Sequence, residues 1–190
     1  MKKRLASLIA LAVIGFAITG HTAVVEPSTP PSSEAIVTPL TYNGTTVGGP
    51  TFNRPNANGN SAPTALSTTG TAVPFDLLTF TVATAGTYSF LSVGNYDNFL
   101  VLYTGTFNPA TPLTGALIAN DDFPTIGRSG FNYALTTGTT YSLVTTGFSN
   151  TSVGTFTNTI SAVPEPGTYV MIGAGCVALF ALQRARRRTA

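Results

Sequence analysis

The stretch FTVATAGTYSFLSVG, Phe80 to Gly94, decides the reading of this chain. Apolar and small polar residues alternate on both sides of the break at ATAG, the period-two signature of two strands with a turn between them. Phe80, Val82, Tyr88 and Phe90 fall on one face and are expected to point inward. A second stretch, YALTTGTTYSLVTTG at Tyr133 to Gly147, lines up with the first at a constant offset of 53 and sets Tyr133, Leu135, Tyr141 and Leu143 inward in the same way. Both stretches read as hairpins. The echo fits an internal duplication, and it fits equally the convergence of two hairpins in a Thr-rich sheet.

Working outward, strands are expected at Leu77–Ala83, Thr87–Val93, Asn98–Thr104, Ala116–Ala119, Phe131–Leu135, Thr140–Thr146 and Gly154–Ile160, all separated by turn residues. Outside the two ends no long stretch has a helical period. An all-β antiparallel sandwich, jelly-roll-like, over residues 36–162 is therefore the expected fold. Within it Ile36 to Val73 is crowded with Gly, Asn and Pro, which predicts short edge strands joined by long loops. Val24 to Ala35, rich in Pro and Ser, reads as a spacer.

Composition narrows the function. Charged residues make up 8% of the 190 residues, while twelve Phe and seven Tyr supply large apolar groups to bury. Thr is β-branched and suits the wet face of a strand, so such a sheet stays hydrated without Lys or Glu. The formal net charge of +2 hides an acidic body. Between Val24 and Val163 only Arg54 and Arg128 stand against Glu26, Glu34, Asp76, Asp97, Asp121 and Asp122, a net of −4. No Lys or Arg cluster is present there to neutralise phosphates, so a nucleic-acid partner is not expected. His21 is the only histidine and Cys176 the only cysteine, both outside the body. The body therefore lacks the groups for Ser-His-Asp or Cys-His catalysis, for His or thiolate zinc sites, and for disulfides.

The ends read as addresses. Lys2-Lys3-Arg4, the apolar run Leu5 to Ile18 and the small or polar stretch Thr19 to Ala23 have the order of a secretory signal, expected to occupy residues 1–23 and to be removed by signal peptidase. At the other end stand Val163, Pro164, Glu165 and Pro166, then the apolar run Gly167 to Leu182, then Arg184, Arg186, Arg187 and Arg188. The two prolines should end the fold. The run spans about 24 Å at helical rise, a short transmembrane helix. Its Arg cluster would stay in the cytoplasm, leaving the body outside the inner membrane. These three ordered features in 163–190 resemble the PEP-CTERM sorting signal of Gram-negative bacteria. The resemblance implies handling by an exosortase, a membrane-embedded processing enzyme, and an association with exopolysaccharide production.

Within the body, Gly86-Thr87-Tyr88, Asp97 through Leu100 to Tyr103, Asn120-Asp121-Asp122, Thr139-Thr140-Tyr141 and Gly154 to Thr157 follow one another in an order that resembles bacterial pre-peptidase C-terminal domains. The resemblance covers about Asp76 to Ala162. It implies a β-sandwich without a catalytic role of its own, and Thr139 stands where the pattern prefers Gly.

Five residues have the chemistry of a hard-cation site. Asp97, Asn98, Asn120, Asp121 and Asp122 offer carboxylate and carbonyl oxygens of the kind Ca²⁺ accepts, and the alternative is that they only make turn hydrogen bonds. Asp121 and Asp122, being adjacent, would point to opposite faces of a strand and cannot pair as general acid and base there. No catalytic residue is assigned. The expected function is that of an exported cell-surface or exopolysaccharide-matrix protein, structural or adhesive. A glycan-binding module is the alternative, and a secreted hydrolase stands third.

Overall fold

The computed structural model describes residues 35–164 apart from Val37 and Asn60, and beyond them Gly167, residues 174–177, Leu179 and Arg184, all helical. The expected signal peptide (1–23) and nearly all of the spacer (24–35) lie outside the described residues. Among the described residues ten strands form: β1 (Ala35–Ile36), β2 (Leu40–Thr45), β3 (Thr51–Phe52), β4 (Val73–Val82), β5 (Gly86–Gly94), β6 (Asn98–Thr104), β7 (Ala116–Asn120), β8 (Arg128–Leu135), β9 (Tyr141–Gly147) and β10 (Thr155–Ala162). One sheet runs β1-β4-β9-β6-β7 with β3 added to β4, and the other runs β2-β10-β5-β8. Every pairing is antiparallel except β1 with β4.

Between the sheets lie Leu78, Phe80, Phe90, Leu100, Leu102, Ile118, Leu135, Leu143 and Ile160, all buried. The inward assignments made from the alternation agree: Phe80, Val82, Tyr88, Phe90, Leu135, Tyr141 and Leu143 belong to this core, with Tyr133 packed against it.

The two hairpins do not form. β4 and β5 belong to different sheets, as do β8 and β9. Each Thr-rich link crosses from one sheet to the other, and β4 pairs with β9 while β5 pairs with β8. Both strands of each unit carry a strongly apolar face. Placed in opposite sheets, the two faces meet across the core, whereas a hairpin would leave both on one sheet in need of another cover.

The β1-to-β7 sheet is buried on both sides. Phe99, Val101 and Tyr103 point away from the sandwich interior yet are no more than 1% exposed. They are covered by Phe52 of β3 and Phe107 of the β6–β7 link, which with Phe75 form three edge-to-face contacts at 5.2–5.3 Å. This double burial explains the nearly unbroken apolar run of β6. The other sheet is wet on its outer face, where Thr41, Asn43 and Thr45 of β2 are exposed.

Candidate functional site

The strand directions bring three acids to one pole. β6 and β7 run antiparallel with Leu100 level with Asn120, so the residues just before β6 and just after β7 emerge side by side. Carboxylate oxygens of Asp97, Asp121 and Asp122 all lie within 4.8 Å of one another. Asp97 and Asp121 are half-buried and Asp122 is exposed. The Asp97 carbonyl is fixed by the Phe148 N–H at 3.0 Å, and Asp121 Oδ1 is wholly buried with no donor to it among the described residues.

Crowded carboxylates hold their protons. Burial first, then Asp97 and Asp122, push the Asp121 carboxyl up to about 6, with Arg54 opposing. Asp97 is raised by burial and by Asp122, again against Arg54.

Arg54 was not singled out by the sequence. It is 2% exposed, and its guanidinium lies 4.1 Å from the Phe99 ring centroid and 4.8 Å from that of Phe148. Nε and Nη2 donate to the Phe148 carbonyl at 2.9 and 2.8 Å, and Nη1 donates to the Pro55 carbonyl at 3.0 Å. Gly70 makes room for it, since a Cβ there would fall 2.7 Å from Arg54 Nε. The only sequence signal was rarity: one of two cations in a body of six acids.

The two asparagines in the expected set are engaged elsewhere. Asn120 Oδ1 accepts from the Gly130 N–H at 3.0 Å and from the Ser129 hydroxyl. Asn98 is fully buried on β6 and its Nδ2 donates to Ser92 Oγ at 2.8 Å. What remains at the pole is three carboxylates whose mutual repulsion a hard cation would relieve.

At the opposite pole the body ends. β10 stops at Ala162, and the Val163 N–H donates to the Thr87 carbonyl at 2.8 Å. Ala35, Ile36, Ala162 and Val163 line one cleft with the β4–β5 link, so the first and last strands of the sandwich meet there. Pro164 is exposed. Of the expected sorting residues, Glu165, Pro166, Arg186, Arg187 and Arg188 lie outside the described residues, and Arg184 is exposed. Among the described residues no helix is long and apolar enough to cross a membrane. The apolar run 167–182 expected to do so lies largely outside them.

No protein-family model matches the chain, and no curated protein matches it. Among solved structures it is similar to the 1.0 Å crystal structure of the pre-peptidase C-terminal domain of a collagenase from Bacillus anthracis. The identity is 15%, the match covers 70% of this chain and 99% of that one, and the TM-score is 0.41. At this score the likeness decides nothing about the present chain, whose sandwich stands on its own strand pairings.

Proposed function

We propose that this chain is an exported β-sandwich, freed of its leader by signal peptidase and sorted by an exosortase through 163–190. Its role is structural or adhesive, at the cell surface or in an exopolysaccharide matrix, and it has no catalysis of its own. The observation that carries the reading is polarity: the last strand of the sandwich ends at one pole, while Asp97, Asp121 and Asp122 crown the other. A body held by its tail to the inner membrane would turn the acidic pole outward. There the three acids would take Ca²⁺, tying the turn before β6 to the β7–β8 loop.

The test is fractionation of cells carrying the full chain or a chain stopped after Val163. The full chain should reach the cell surface and become accessible to added protease. The shortened one should be exported without surface retention. Equal distribution of the two would remove the tail from the account.

One observation favours glycan binding as a second reading. The outer face of the β2-β10-β5-β8 sheet bears a single charge, Arg128, and Phe123, 51% exposed, leans over Gly130 beside Leu91. An exposed ring beside rows of Thr and Asn suits a neutral sugar. Loss of polysaccharide pull-down on Phe123→Ala would support it.

A further inference from the structure

The interior of the sandwich changes character along its length. Toward the acidic pole each sheet contributes one row of level residues that is polar almost throughout. On one sheet Tyr42, Asn158, Ser92 and Ser129 stand level on β2, β10, β5 and β8. On the other, Asp76, Thr145, Leu100 and Asn120 stand level on β4, β9, β6 and β7. Asn98, two residues before the core residue Leu100, shares its face. The rows meet across the gap: Asn158 Nδ2 donates to Thr145 Oγ1 at 2.7 Å and to the Tyr42 hydroxyl at 2.8 Å. Asn98 Nδ2 reaches Ser92 Oγ.

Donors and acceptors in this layer do not balance. Asn98 is 0% and Asn158 1% exposed, yet among the described residues no group donates to the Oδ1 atom of either. A fully buried carbonyl oxygen without a partner is destabilising, because it has given up its hydrogen bonds to water and gained none in return. Burial raises the half-buried Asp76 carboxyl, and among the described residues neither a cation nor a hydrogen bond holds it charged. The Asp76 charge also acts on Tyr42 and on Tyr96.

We propose that this polar layer binds one dehydrated monovalent cation, of the sodium or potassium class, through the Asp76 carboxylate and the Oδ1 atoms of Asn98 and Asn158. The two unmatched amide oxygens and the Asp76 carboxylate are hard oxygen acceptors, the ligand type of alkali and alkaline-earth ions. Charge selects between those classes. One carboxylate and one monovalent ion leave the layer neutral, whereas a divalent ion would leave a buried positive charge without a partner. A water molecule would serve the two amide oxygens but would leave the half-buried Asp76 carboxylate without a counter-charge. This site is separate from the acidic pole, since it uses neither Asp97, Asp121 nor Asp122.

The test is thermal unfolding of the full chain, followed by circular dichroism in EGTA, in chloride salts of sodium, potassium and N-methylglucamine at one ionic strength. The last cation is too large to enter. Sodium or potassium should raise the midpoint by roughly 4–6 °C when tenfold above its Kd. Asp76→Asn, which keeps the shape and removes the charge, should abolish the difference, whereas Asp122→Asn should leave it intact. Crystals grown with rubidium should show an anomalous peak between Asp76 and Asn158. Equal midpoints in the three salts, an unchanged cation shift in Asp76→Asn, or no rubidium peak there would each overturn the proposal. So would a higher midpoint of Asp76→Asn in every salt, which would mark Asp76 as a half-buried acid with no ion.

Discussion

Phe80 lies level with Tyr141 across the β4–β9 pair, their ring centroids 5.8 Å apart, and Tyr133 lies level with Tyr88 across the β8–β5 pair. The offset of 53 carries Phe80 onto Tyr133 and Tyr88 onto Tyr141. It likewise carries the pair Leu78 with Leu143 onto Phe131 with Phe90. The two echoing stretches are thus interlocked arches, the first strand of each paired with the second strand of the other.

Interlocking makes each half dependent on its partner. A fragment ending at Ile126 keeps β4 and β5 but lacks β8 and β9, so its circular dichroism should be that of an unfolded chain. Mixing it with the complementary fragment should restore β structure. A fragment that folds alone would contradict the interlocked pairing.

The double burial of the larger sheet predicts that neighbours on β6 facing opposite ways are both costly to truncate. Leu100→Ala should lose about 2–5 kcal/mol and Phe99→Ala about 3–5 kcal/mol in denaturant unfolding. A sheet wet on its outer face would leave the Phe99 change close to neutral.

Acid should stabilise the pole in chelator. The folded chain holds the Asp121 proton up to about pH 6, whereas an unfolded Asp releases it near about 3.9. Stability from this group is therefore full below the unfolded value and is lost as pH rises through the folded one. Arg54 opposes the shift, so Arg54→Met should widen the window upward while costing stability through lost stacking and hydrogen bonds. Melting curves from pH 3.5 to 7.5 in EDTA read both effects.

Calcium should act on the same three acids. In wild type, Ca²⁺ should raise stability by RT ln(1 + [L]/Kd), about 2.7 kcal/mol at a hundredfold excess, and the titration must reach tens of millimolar because extracellular sites bind at about 10⁻⁴–10⁻³ M. Asp121→Asn with Asp122→Asn should remove the response. A response absent in wild type, or equal in both proteins, would reduce these residues to turn formers.

Much of the fold was legible because burial writes itself into alternation. β6 was bounded correctly as Asn98–Thr104 from its apolar run. β4 begins four residues earlier than expected, at Val73, because Pro74 and Asp76 look like turn residues. Pro74 sits there paired with the two-residue β3, and Asp76 faces the polar layer. Pairing partners were not legible, since a period of two tells which face is buried and not which strand lies alongside. At the candidate site the acids were visible as strand ends. Arg54 was not, because the rings and the main carbonyl acceptor around it come from Phe99 and Phe148, residues far from it in the chain.

The central claim is sorting of a folded, non-catalytic body through its tail, and mass spectrometry of the native protein taken from the cell surface tests it most directly. The account predicts a mature C-terminus close to Val163–Pro166, just past the Val163 N–H bonded to Thr87. Recovery of surface protein that still carries Arg184, Arg186, Arg187 and Arg188 would contradict it.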